Sequence, residues 1–124
     1  MGDHAFAVGN GTKASGDCSY AEGFHTVAAG QYQHVQGSCN IEDVDGVYAH
    51  IVGNGGTSGN AHDNANAHTI DWFGNAWFAG DVYVGSTSGI NKDEGSKKLA
   101  TEEYVDAHSE DSVKKFFLII ETVK

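Results

Sequence analysis

The chain has 124 residues, with 17 Gly, no Pro, 2 Cys, and 17 acidic against 7 basic side chains for a formal net charge of −10. That balance argues against nucleic-acid binding, which needs Lys and Arg against phosphate, and against binding to an anionic membrane surface. No apolar run reaches the roughly 18 residues of a membrane span. Gly at about twice its usual share with no Pro excludes collagen and Pro-rich linkers. It fits short strands separated by tight turns. The start, Met1-Gly2-Asp3-His4, lacks the basic and apolar regions of a secretory signal. This predicts a cytosolic chain or a fragment.

The first element is a repeat. Gly9, Gly16, Gly23, Gly30 and Gly37 are spaced by seven. Two residues before each stand Ala7, Ala14, Ala21, Ala28 and Val35; four before stand Ala5, Thr12, Ser19, Thr26 and Gln33. A fixed period marks a repeat architecture. A coiled coil is ruled out, because the repeated positions carry no Leu or Ile seam and each Gly would cost a helix about 1 kcal/mol. Short strands remain. Residues two apart share a face, so Ala7, Thr12, Ala14, Ser19, Ala21, Thr26 and Ala28 are expected to point inward. Each Gly is expected to supply a turn with positive φ.

Two such units make a 14-residue coil. Phe6, Tyr20 and His34 then stack on one side as a ladder of rings, with Lys13 and Val27 equivalent to each other on the opposite side. Coils rise about 4.8 Å each. Ala, Ser and Thr bury little apolar surface, so so small a roll needs neighbours, and self-association about a cyclic axis is the simplest supply.

The strings Ala14-Ser15-Gly16, Tyr20-Ala21-Glu22-Gly23 and Thr26-Val27-Ala28-Ala29-Gly30 resemble the YadA-like head repeat over residues 5 to about 37. That repeat builds left-handed parallel β-roll heads in trimeric autotransporter adhesins and occurs in tail-fibre and prophage proteins. The resemblance implies a mainly β left-handed solenoid and a homotrimer. It implies no active site in the repeats.

After Gly37 the pattern departs. Position 44 is Val, Gln33 and Glu42 stand at inward positions, and Gly53 lies 16 residues past Gly37 rather than 14. An insert near 38–48 within a roll of residues 1–52 is expected: an excursion and a return to the roll, or a capping hairpin. Residues 53–67 read as a loop. Residues 67–85 read as an aromatic hairpin turning at Phe73-Gly74-Asn75, so 53–85 forms a second region. Trp72, Trp77, Phe78 and Tyr83 are expected to pack between subunits. Residues 74–85 with 98–105 resemble the segment joining shaft to distal part in tail fibres of phages and prophages.

The last region, 86–124, reads as a linker and a helical trimerisation segment. Val113, Phe116, Ile120 and Val123 follow an a/d spacing. The run Phe116–Ile120 also fits a strand; the helix is favoured.

Site chemistry is sparse. The His residues form no zincin pattern, and His62, Asp63 and His68 read as loop residues. His34 belongs to the ladder, where three copies about an axis would gather imidazoles. Asp43-Val44-Asp45-Gly46 lacks the remaining ligands of a calcium loop. Gly53–Thr57 lacks the Lys of a phosphate loop, and Gly85–Gly89 has Thr where a nucleophile elbow has Ser. No catalytic residue, metal or cofactor is expected. Cys18 and Cys39 fall on opposite sides of the roll and are expected to stay thiols.

These readings converge on a structural, non-enzymatic homotrimeric fibre segment of a phage or phage-tail-like particle. It would be assembled in the bacterial cytoplasm and contribute to host-surface attachment. Lys13, Tyr20, His25 and Tyr32 would meet a cell-surface glycan or protein receptor. The alternative is the head fragment of a bacterial trimeric autotransporter adhesin at the cell surface. A hydrolase on a β-solenoid would instead need two carboxylates facing each other in a cleft.

Overall fold

A computed structural model describes residues 1–56, 63–85 and 97–100. The described residues contain ten strands and no helix: β1 Phe6–Asn10, β2 Lys13–Ala14, β3 Tyr20–Phe24, β4 Val27–Ala28, β5 His34–Ser38, β6 Tyr48–Asn54, β7 Asn66–Asp71, β8 Ala76–Phe78, β9 Tyr83–Val84 and β10 Lys97–Lys98. The predicted seam of Val113, Phe116, Ile120 and Val123 lies outside the described residues.

Four strands, β1-β3-β5-β6, stack in parallel as successive turns of a solenoid, and the short β2 and β4 form a second parallel sheet. Phe6 pairs with Tyr20 and Tyr20 with His34, so each of these coils takes 14 residues. The two seven-residue units within a coil are unequal. One forms a five-residue strand and the other a two-residue strand.

The corners explain the difference. Gly9, Gly23 and Gly37 have the expected positive φ, 125°, 109° and 100°, but they lie within β1, β3 and β5 rather than in turns. Gly16 and Gly30 do not have positive φ. They are glycines for another reason: a Cβ on Gly16 would overlap the Gly30 carbonyl oxygen, and one on Gly30 would sit 2.9 Å from Gly46 Cα. The left-handed corners fall instead on His4, Cys18 and Tyr32 on one side (φ 56°, 56° and 60°) and on His25 and Cys39 on the other (φ 50° and 41°).

A left-handed non-glycine residue is uncommon and strained, but here it aims the corner N–H along the stack. Cys18 N–H donates to the Asp3 carbonyl (2.8 Å), Tyr32 to Asp17 (2.9 Å), His25 to Asn10 (2.8 Å) and Cys39 to Phe24 (2.9 Å). The ladder therefore continues round the bends at these four corners. Cys18 is exposed, Cys39 is buried, and no disulfide joins them.

The core is one narrow column of Ala14, Ala21, Ala28, Val35 and Ile51. Ala7 and Thr12 are only half-buried, because they belong to the first coil and no earlier turn covers them. The inward side chains of Ser19, Thr26, Gln33 and Asn40 are hydrogen-bonded. Ser19 donates to the Gly16 carbonyl (2.6 Å) and Thr26 to the Glu22 carbonyl (2.9 Å). Gln33 and Asn40 are buried too. The Asn40 amide accepts from Val27 N–H at 2.7 Å and donates to the Val27 carbonyl at 3.0 Å, so a side chain closes the edge of β4 where a further short strand would sit. Glu42, expected inward, is exposed.

The excursion through 41–47 lengthens the next coil by two residues. Its return places His50 beside His34, Ile51 beside Val35 and Gly53 beside Gly37. Asp43 makes the return possible: its carboxylate accepts from Val47 N–H (3.2 Å), Tyr48 N–H (2.8 Å) and the Gln33 amide (2.8 Å). β7 then pairs antiparallel with β6, and β8 with β7.

Between β7 and β8 the Asp71 carboxylate accepts from Phe73 N–H and Asn75 N–H, both at 2.9 Å, and from the Asn75 amide at 3.0 Å. These bonds, the Asn75 side chain first, hold the Asp71 pKa below its ordinary value. β8 stops at Phe78, whereas the sequence pattern ran a strand on to Gly85. Ala79-Gly80 ends it, and the chain from Asp81 onward forms a second compact unit. In that unit β9 pairs antiparallel with β10, with Leu99 N–H donating to the Val82 carbonyl at 2.6 Å.

Candidate functional site

The outward face of the long sheet carries a ladder of six rings. Phe6 stacks on Tyr20 with centroids 5.3 Å apart, and Tyr20 meets His34 edge-on at 5.0 Å. The ladder continues past the three rings read from the sequence. His34 meets His50 at 5.0 Å, His50 meets His68 at 5.8 Å, and His68 stacks on Phe78 at 4.3 Å. The register dictates this. Rings at equivalent positions sit one inter-strand spacing apart, about 4.8 Å, close to the preferred separation of aromatic pairs.

Polar contacts fix the middle of the ladder. The Tyr20 hydroxyl donates to Glu22 Oε2 at 3.2 Å, and Glu22 Oε1 lies 3.6 Å from His34 Nε2. The crowding of the Tyr20 phenol by its neighbours, then the Glu22 hydrogen bond and charge, raise the Tyr20 pKa. The Trp77 carbonyl accepts from His68 Nδ1–H at 3.1 Å, which selects that tautomer. Val8 pairs with Glu22 and Val52 with Gln36, so a second file of side chains runs beside the rings.

His50 lies between two other imidazoles. Burial first, then the neighbouring His34 and His68, lower its pKa from the ordinary 6.5. Near that pH the folded protein therefore binds fewer protons here than the unfolded chain. Stability from this source is complete above about pH 6.5 and is lost as pH falls below it. Urea midpoints should drop between pH 7.5 and pH 5.5, and His50→Phe should flatten that drop. An identical drop in the variant would contradict the assignment.

A second feature lies at the first corner of the roll. Gln31 and Tyr32 on one side, and Asp45 with Trp72 on the other, line an open groove of about 330 Å³ over Gly30 and Gly46. Trp72 is held there because its Nε1–H donates to the Gly46 carbonyl at 2.9 Å, joining residues 26 apart in sequence. Gly46 itself has φ 67°, and it stacks on Gly30 of the preceding coil.

The residues expected to meet a receptor are spread over different faces. Tyr20 is in the ladder, Lys13 is on the short-strand sheet with its equivalent Val27, and His25 and Tyr32 are at opposite corners. Of the residues expected between subunits, Phe78 ends the ladder, while Trp77 turns to the other face of β8 and meets Tyr48 edge-on at 5.8 Å. Trp72 lines the groove, and Tyr83 is exposed in the second unit.

Among the described residues no three His, Cys, Asp or Glu side chains converge in a way that would hold a metal. Asp43, the first acid of the calcium-like string, is spent on closing its own turn. The sequence reading missed His50, His68 and Phe78 as ladder members, because the two-residue shift hid His50 and the antiparallel strands broke the 14-residue count. No protein-family model, curated protein or solved structure matches this chain.

Proposed function

We propose that the protein is a structural, non-enzymatic segment of a phage or phage-tail-like fibre, a homotrimer whose subunits meet through the ring ladder and which contributes to host-surface attachment. The observation that carries this reading is the mismatch between interior and surface. The buried apolar column holds nothing larger than Ile51, while Phe6, Val8 and Phe78 stand about half exposed on a single sheet face. An exposed face of that kind calls for a partner, and threefold closure supplies one from the chain itself.

The resemblance of residues 5–37 to the YadA-like head repeat points the same way, since that repeat implies a trimer. The likeness of 74–85 and 98–105 to tail-fibre segments favours a virion part over the head of a bacterial adhesin. Stacked coils whose ladder runs unbroken round the corners suit a mechanical role, because few backbone groups are open to a competing strand or to a protease. Three copies would also turn a weak contact into avid attachment.

Light scattering tests the assembly. The mass expected is three times the 13.1 kDa subunit, about 39 kDa. A monodisperse 13.1 kDa species would overturn the trimer.

A further inference from the structure

Resting on that attachment role, we propose that the groove between Tyr32 and Trp72 is a binding site for a neutral hexose of a surface glycan. Both rings are exposed, Tyr32 at 60% and Trp72 at 50%, and neither makes a ring contact with another aromatic among the described residues. An exposed Trp is ordinarily a mobile side chain. Here its indole N–H is committed to the Gly46 carbonyl, so its edge is fixed while half of its surface stays open. Tyr32 is fixed by other means: its backbone is held at φ 60° and its N–H is tied to the coil below.

The floor matters as much as the walls. Gly30 and Gly46 stack so closely that a Cβ on Gly30 would lie 2.9 Å from Gly46 Cα. A glycine at 46 carries no side chain over Gly30, which leaves the floor of the groove open. Its volume is at the small end of ligand sites, which run from about 300 to 1,000 Å³.

The polar groups select the ligand. Among the described residues the Gln31 amide and the Asp45 carboxylate make no hydrogen bond to the protein. An amide offers donors and an acceptor, and a carboxylate offers acceptors for a pair of hydroxyls. With aromatic faces for the C–H side of a pyranose, these are the components of sugar recognition. No Lys or Arg lines the groove, Asp45 does, and the chain carries a net charge of −10. Sialic and uronic acids are therefore disfavoured, and a neutral hexose fits.

The test uses the full chain with Trp77→Phe, so that Trp72 is the sole indole. Fluorescence is titrated with methyl glucoside, methyl galactoside, methyl N-acetylglucosaminide and N-acetylneuraminic acid. A saturable change with at least one neutral glycoside is expected, with Kd on the order of 1 mM for so small a ligand. Saturation-transfer NMR should show that Trp72→Ala weakens binding by about tenfold or more, with circular dichroism unchanged, and that Asp45→Asn weakens it several-fold. Trp72→Phe separates stacking from folding, because it keeps a ring and loses only the bond to Gly46.

No response to any neutral sugar, tighter binding of N-acetylneuraminic acid, or undiminished binding by Trp72→Ala would each overturn the site. A 39 kDa trimer that binds none of the sugars fails this inference alone. A 13.1 kDa monomer that binds one fails the fibre reading alone.

Discussion

Gly23→Ala is expected to cost about 4 kcal/mol or more, a large part of the roughly 5–15 kcal/mol that holds a domain together. Two causes add. At φ 109° an L-residue is strained, by about 1–3 kcal/mol. The new Cβ would also overlap the carbonyl oxygen of Gly37 in the next coil, and Gly37 is itself in contact range of Gly53. The coils cannot move apart to relieve the overlap, because their ladder bonds pass directly above and below. Gly74 supplies the control. It too has positive φ, 88°, yet a Cβ there meets nothing within 4 Å. Gly74→Ala should therefore show the backbone strain alone, about 1 kcal/mol. Urea unfolding of the pair isolates the clash; equal midpoints for the two variants would refute close coil stacking.

Gln33→Leu is the second large effect, about 3 kcal/mol, and its sign runs against simple hydrophobicity. Leu at a fully buried position of similar size would ordinarily be welcome. Here the Gln33 amide donates to the Tyr48 carbonyl (2.9 Å) and to Asp43 (2.8 Å), and its oxygen accepts from Gly30 N–H at 3.2 Å. Leu leaves those groups without their partner, at about 1–3 kcal/mol for each one that stays buried. Asp43 also closes the excursion before β6, so the damage should spread locally. Hydrogen exchange at the Val47 and Tyr48 amides should speed up before the rest of the sheet is affected. A variant as stable as the parent would show that the amide merely fills space.

The seven-residue rhythm made the solenoid legible, since Ala14, Ala21 and Ala28 could share a column only if the chain wound in 14-residue turns. The same rhythm concealed how the turns work. Gly16 and Gly23 look identical in sequence, but Gly16 is a glycine for close approach alone and Gly23 for close approach and its dihedral together. The left-handed corners at Cys18, Tyr32, His25 and Cys39 left no compositional mark, because β-turn chemistry would have placed Gly or Asn there. His50 and His68 joined the ladder through a two-residue insertion and a change of strand direction, and neither can be counted along the chain. The groove was out of reach for a related reason. It depends on Trp72 donating to Gly46, a contact across 26 residues with no periodic signature.

The central claim is that three ladder faces meet about an axis, and paired spin labels test it most directly. With exposed Cys18 changed to Ser and buried Cys39 left unreacted, a nitroxide is placed at Val8, beside the rings, or at Lys13 on the opposite sheet. A trimer closed through the ladder gives a short, well-defined distance between copies from Val8 and a longer one from Lys13. Short distances from Lys13, or no coupling from Val8, would contradict it.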